Sequence, residues 1–166
     1  MMRTRILALA AAVLLALSGA AWAQKSESQG IVSIRVTGQS FDPITPWVKQ
    51  AEQNISGSGL VVEGKRILTT ADLVKNANLI EVRKFGRYPD YQARAVLVDY
   101  ELNLALLEVM APAFWDGLKT LSMAAQNNPS GTFNINRWRP NGRYEQGTGE
   151  VVDYVVGSSR FGTAEF

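Results

Sequence analysis

Any chemistry in this chain has to come from carboxylates, hydroxyls and lysines, because its 166 residues contain neither histidine nor cysteine. That removes the commonest general base and the commonest metal ligands together. Zinc, copper and haem sites are left almost without donors. A calcium site built from carboxylates alone is conceivable, but the acids are scattered and no EF-hand-like spacing occurs. No metal and no cofactor are expected. Three stretches still bring reactive or binding types together. Arg137, Trp138, Arg139, Arg143 and Tyr144 interleave cations with aromatics, a pattern that can stack and neutralise a single-stranded polyanion. Pro140-Asn141-Gly142 within that stretch explains the same spacing better, as a hairpin tip. Gly157-Ser158-Ser159-Arg160-Phe161-Gly162 has the look of a nucleophile loop but lacks G-x-S-x-G spacing, so it is not counted as one. The third stretch, Thr69-Thr70-Ala71-Asp72, places a carboxylate after two hydroxyls.

The elements that must position these residues are short strands. Val32, Ile34 and Val36 alternate with Ile31, Ser33 and Arg35, which predicts a strand with one cleanly apolar side. A polar loop with Pro43 and Pro46 follows. "LVV" and "RILTT" flank Glu63-Gly64-Lys65, a hairpin signal. "LIEVRK" puts Ile80 and Val82 on one face, and Arg83, Lys84 and Arg87 are read as a solvated strand end. "YQARAVLVD" sets Ala93, Ala95, Leu97 and Asp99 opposite Gln92, Arg94, Val96 and Val98. "LALLEV" is nearly continuous in apolar residues, the pattern of a strand buried on both sides. The expected interior is Ile67, Leu68, Ile80, Val82, Leu104, Leu106 and Val109, and the one helix candidate is Ala71 to Asn76. "TFNINRW", "GRYEQGTG" and "EVVDYVV" read as further strands and turns. Short strands at such spacing suggest a sandwich or barrel.

The N-terminus has its own logic. A short basic start precedes an unbroken apolar run of twelve residues, Ile6 to Leu17, and Ala21-Trp22-Ala23 is an A-x-A cleavage pattern. This is the layout of a secretory signal peptide, and the run is too short to span a bilayer. Residues 1–23 are therefore expected to be removed after Ala23, leaving an exported chain that starts at Gln24. The 17 basic and 15 acidic residues then become 15 of each, so no basic footprint for nucleic acid remains. Without cysteine, an exported domain must rely on its core alone.

Gly57 to Ala125 resembles the first barrel of trypsin-like proteases of the HtrA/Deg group. The likeness is carried by "SGSG" before an apolar strand, then "ILTTADLV", "IEVRKFG", "YQARAVLVDYELNLALLEV" and "FWDGLKTL", in family order and spacing. The preceding "FDPITPWVKQAEQNISGSG" looks like a Deg subgroup with a proline–tryptophan insertion. The resemblance implies an all-β, chymotrypsin-type double barrel. The first barrel would be complete within residues 24–125, and residues 126–166 would begin a second, incomplete one. Phe114 and Trp115 match a family position that packs under the barrel.

The family's chemistry needs a serine nucleophile, a histidine base and an aspartate that orients the imidazole. In the family pattern the histidine follows T-x-A, where this chain has Asp72, and the aspartate opens the D-[IL]-A-L strand, which here begins at Asn103. The serine motif is absent from these 166 residues and by family order would lie beyond Phe166. An aspartate of ordinary pKa, about 3.9, is far too weak a base to activate serine at neutral pH. A serine–lysine arrangement through Lys65 or Lys75 is the remaining escape, and both lysines read better as solvated turn or helix-end residues. Asp72 itself reads as a first-turn acid suited to the helix dipole, and Asn103 as a turn residue. No catalytic residues are expected. The chain is read as an exported family member without proteolysis that binds a polypeptide or envelope partner. A serine endopeptidase, or a fragment of a longer family protein, is the alternative.

Overall fold

The computed structural model describes residues 28–123 and 131–153, together with the backbone of 157–159 and 162–164. The expected signal peptide and the turn-rich boundary around Gln126 to Pro129 lie outside the described residues.

Strand β1 (Ile31–Gly38) turns Val32, Ile34 and Val36 inward, all fully buried, as their alternation requires. β2 (Gln53–Val62) and β3 (Arg66–Thr69) are joined by the expected tight reversal, where Gly64 at φ 76° and Lys65 at φ 55° take left-handed conformations. One helical turn, α1 (Ala71–Val74), buries Ala71 and Val74. It is followed by β4 (Ala77–Lys84), β5 (Asp90–Asp99) and β6 (Leu104–Val109). The six strands close in the order β1-β2-β3-β6-β5-β4, every pairing antiparallel.

So small a barrel has little room inside, and β2 supplies that room with glycine. A Cβ at Gly59 would fall on Ile67 and Ile34, and one at Gly57 would meet a methyl of Leu73. The glycines of "SGSG" thus let neighbouring aliphatic side chains fill the interior at close-packed density. Phe114, in a 3₁₀ turn at Pro112–Phe114, plugs the barrel and is fully buried, edge-on to Tyr91 and Trp115. Trp115 Nε1 donates to the Val109 carbonyl at 3.2 Å. The expectation for this aromatic pair holds.

Three expectations about the strands do not. β6 is buried on one side only: Ala105, Leu107 and Val109 point in, whereas Leu104 is exposed and Leu106 half-buried. Leu68 also faces outward, half-buried, on β3. These leucines form an outer row, Leu60 opposite Leu68, Leu68 opposite Leu106, and Leu106 opposite Leu97. Cross-strand contacts of this kind stabilise a sheet without enclosing it. On β5 the alternation breaks because the register shifts between Ala95 and Leu97, a β-bulge. The extra residue flips the pattern, so Ala95 and Leu97 are exposed and Val98 packs on the core. Arg83, read as solvated, instead lies half-buried against β5. It pairs with both Asp90 oxygens and sits 4.2 Å from the Tyr88 ring centroid. The Arg83 hydrogen bonds hold the Asp90 carboxyl below its ordinary pKa. Lys84 donates to the Ala113 and Asp116 carbonyls, clamping the 3₁₀ turn.

Beyond the barrel, β7 (Thr132–Trp138) pairs with β8 (Tyr144–Glu150), and β9 (Gly157–Ser159) with β10 (Gly162–Ala164). The partner of "TFNINRW" is therefore "YEQGTGE". Residues 151–153 of the expected "EVVDYVV" strand are not in strand, and 154–156 lie outside the described residues. The tip Pro140–Gly142 makes the turn, closed by Arg139 N–H to Arg143 O and Gly142 N–H to Arg139 O, both at 2.9 Å. Gly149 supplies the bare backbone on which Ile135 lies.

Replacing Leu107 with alanine should cost about 2–5 kcal/mol, the range for a fully buried leucine. The same change at half-buried Leu106 should cost clearly less. Chemical denaturation of the two variants side by side checks which face of β6 is interior.

Candidate functional site

β3 pairs with β6, with Thr69 opposite Ala105. The residues just after β3 and just before β6 therefore meet at one end of the barrel. Asp72 stands there on the first turn of α1, and Asn103 closes the turn from β5 into β6. That turn is built by Asp99, whose Oδ1 accepts from the amides of Glu101 at 2.9 Å and Leu102 at 3.0 Å. Asn103 then adopts φ 53°, a conformation asparagine tolerates better than most residues.

In this pose Asn103 grips the start of α1 at three points. Its carbonyl accepts from the Ala71 amide at 3.2 Å, and its Oδ1 accepts from the Asp72 amide at 2.9 Å. Its Nδ2 donates to Asp72 Oδ2 at 3.1 Å. Thr70, the N-cap residue, makes no side-chain cap, so Asn103 satisfies from outside two amides that a helix start leaves open. The two residues singled out from sequence are thus direct partners, a bond no local sequence signal announces. The Asx turn at Asp99 was also missed, although Asp two residues before Glu101 is a recognisable turn former.

Chemically the pair is a carboxylate held by an amide donor. It can accept hydrogen bonds and attract a cation. The Asp72 side chain bonds Asn103, and among the described residues neither a serine nor a lysine reaches it. Lys65 is exposed in the β2–β3 turn and Lys75 exposed after α1. Ser158 and Ser159 sit in β9, paired to Thr163 and Gly162, rather than on a nucleophile turn. No three acidic side chains among the described residues cluster closely enough to hold a metal ion. No helix among them is long and apolar enough to cross a membrane.

The arginine–aromatic stretch is the expected hairpin. Arg137 and Arg139 both bind the Glu145 carboxylate, and these two bonds, Arg139's foremost, draw its pKa down to about 2. Trp138 turns to the barrel, donating from Nε1 to the Ile31 carbonyl at 2.8 Å, with its ring 4.8 Å from that of Tyr144.

Comparison with known proteins places this geometry. No family model matches the chain. Protease Do-like 4, mitochondrial, of Arabidopsis thaliana is 35% identical over 80 residues, 48% of this chain and 15% of that protein. A serine protease DegP homolog of Plasmodium falciparum is 29% identical over 103 residues, 61% of this chain and 12% of that protein. Among solved structures, the active form of the Rv3671c protease from M. tuberculosis superposes with a TM-score of 0.57 at 19% identity. That match covers 80% of this chain and 52% of the other. These likenesses support an HtrA/Deg-type trypsin-like family.

Its fold is the trypsin-like double barrel, with one closed six-stranded barrel and a partial second sheet. The matched segment spans well under half the length of these curated relatives. In a trypsin-like site the orienting aspartate accepts a hydrogen bond from the histidine. Here the donor sits on the other partner: Asn103 gives the proton and Asp72 receives it.

That polarity is testable. Asn103→Asp would set two carboxylates side by side, and should lose about 1–2 kcal/mol of stability at neutral pH. Like charge raises a carboxyl pKa in the folded state, so the loss should shrink as pH falls through that raised value and one group protonates. Adding Asp72→Asn should restore stability at neutral pH, because residue 72 then donates to residue 103. Thermal melts of both variants across pH 3 to 7, roughly the carboxylate titration range, check this.

Proposed function

We propose that this protein is a non-catalytic HtrA/Deg family member that is exported and binds a polypeptide or envelope partner through its barrel surface. The observation that carries the reading is the Asp72–Asn103 pair. Where the family places a base and its orienter, this chain has a carboxylate locked to an amide. The barrel end that would hold the base is otherwise well built, down to the three bonds from Asn103. Binding can outlast chemistry, because main-chain pairing with an extended peptide needs strand edges and not a triad. The β7–β8 sheet has two strands among the described residues, which leaves such edges to offer. The step from family to binding role is an analogy of fold, and the site chemistry is its support.

The second reading is a fragment of a longer family protein, with residues 24–125 as its first barrel and 126–166 as the start of its second. It is favoured by coverage, since the chain matches 52% of the Rv3671c protease chain. In that case the activity belongs to the longer protein.

Incubation with unfolded casein, with and without a serine-directed inhibitor, should show no inhibitor-sensitive cleavage. The double substitution Asp72→His and Asn103→Asp should leave the chain just as inactive, because triad members act as a unit and the serine motif is missing. Inhibitor-sensitive digestion by either form would establish a serine endopeptidase.

Export is supported by the N-terminal pattern of basic start, apolar run and Ala21-Trp22-Ala23. N-terminal sequencing of protein recovered from the cell envelope should begin at Gln24; a start at Met1 would count against cleavage.

A further inference from the structure

The turn that leaves β4 holds an aromatic side chain where the backbone least favours one. Phe85 has φ 54° and Gly86 φ 62°, so two consecutive residues are left-handed. Gly86 suits that conformation, whereas a bulky residue in it is strained. Glycine or asparagine at position 85 would make the same turn more easily. Strain of this kind gathers at ligand clamps, where one side chain has to stand in one place. The Phe85 ring is held close over Gly117, where a Cβ would come within 3.7 Å of it.

Phe85 forms one wall of a cleft at the junction of barrel and β7–β8 hairpin. Ser28, Gln29, Phe85, Arg87 and Trp138 line it, around about 600 Å³, within the size range of ligand pockets. The opposing indole of Trp138 is fixed by its bond to the Ile31 carbonyl, and it packs over Gly86, where a Cβ would strike it. Both aromatic walls are thus set before a ligand arrives, which lowers the ordering cost of binding. The one charged residue of the lining is Arg87. It is exposed and makes no ion pair among the described residues. Its amide donates to the Lys84 carbonyl at 3.1 Å, which fixes where the side chain starts.

Two rings and one unpaired guanidinium suit an apolar group that carries a single negative charge. A nucleic acid or an anionic bilayer calls for a cluster of cations, and this cleft has one. Gln29 adds an amide that both donates and accepts, as a main chain requires. The cleft is also remote from the Asp72–Asn103 pair. It includes Gln29, just before β1, whereas Gln39, just after β1, bonds the Asn76 carbonyl beyond α1 at 3.0 Å. We propose that the Phe85–Trp138 cleft binds a partner polypeptide at an aromatic side chain next to an acidic one, with the ring between the two walls and the carboxylate on Arg87. The proposal rests on the polypeptide-binding reading above and names its site and the sequence it selects.

Calorimetric titration of the protein, as processed by the expressing cell, with acetyl-Gly-Phe-Glu-Gly-amide provides the test. The wild type should bind, and more weakly as salt rises. Phe85→Gly and Arg87→Glu should each raise the dissociation constant by about tenfold or more. Both should melt like the wild type, because glycine takes φ 54° without strain and Arg87 is exposed. Should Phe85→Gly melt early, the change at residue 87 decides alone. Glutamine in place of the peptide's glutamate should weaken wild-type binding, and lysine there should restore binding to Arg87→Glu. No wild-type binding by about 1 mM peptide, variants that bind undiminished, or a lysine peptide that recovers nothing would each overturn the proposal. So would phenylpropionate binding as tightly as the peptide, which would make the cleft a site for small acids. Unfolded casein separates this site from the broader reading. Casein held by the wild type and lost by both variants supports the cleft. Casein held equally by all three overturns the cleft and leaves polypeptide binding standing, whereas a wild type that holds neither casein nor peptide overturns both.

Discussion

Strand β1 is hydrogen-bonded on both sides, to β2 along Ile31–Gly38 and to β4 from Val32 onward, and that double pairing closes the barrel. Closure is what brings distant sequence together. With β1 holding β2 and β4 apart, β3 and β5 must meet through β6, and the residues after β3 come to lie beside those before β6. The Asp72–Asn103 contact, 31 residues apart in sequence, follows from that topology and from no local preference. Closure also removes strand edges that would otherwise invite pairing with other chains. Its cost is interior space, and Gly57 and Gly59 are where β2 gives that space up to Leu73, Ile67 and Ile34.

Position and chemistry separate cleanly at the site. A side-chain oxygen of residue 103 accepts from the backbone of residue 72, and the two side chains bond one another. What is inverted is the direction of the proton. A carboxamide donating to a carboxylate satisfies the same kind of contact as an imidazole donating to a carboxylate, but a carboxamide is not a proton-transfer group. The three bonds from Asn103 to the start of α1 give this barrel end a structural reason to hold the two positions together. Asn103 is well suited to that task, since it combines a left-handed backbone with a side chain that both donates and accepts.

The sequence was legible wherever one rule acted alone. Val32, Ile34 and Val36 alternate without interruption, and Glu63-Gly64-Lys65 carries its own turn chemistry, so both elements were readable. Asp72 and Asn103 were readable as positions through family resemblance, while their bond was not, because it depends on closure. "LALLEV" misled because it is apolar on both faces. Alternation cannot tell a leucine that packs inside from one that packs along the outside of a sheet, and Leu106 belongs to the outer row. The β5 pattern failed for a different reason: one bulged residue between Ala95 and Leu97 reverses every later side chain. Arg83 looked solvated because its partner, Asp90, lies across a strand pair.

The attachment of the second sheet shows the same reliance on close backbone approach. Trp138 reaches across with two bonds, its Nε1 to the Ile31 carbonyl and its amide to Ser58 Oγ at 3.3 Å. Beside it Gly86 and Gly142 face each other so closely that a Cβ on either would strike the other's carbonyl oxygen. Both are left-handed, at φ 62° and 78°, so a side chain would be strained there even without the clash. Apolar collapse alone would not select such a contact, because it buries almost no hydrophobic area. It selects orientation instead, fixing the β7–β8 hairpin on the barrel at the Ile31 end of β1. The β1–β2 loop stands at the other end of β1, where Ile44 and Trp47 are exposed among the described residues.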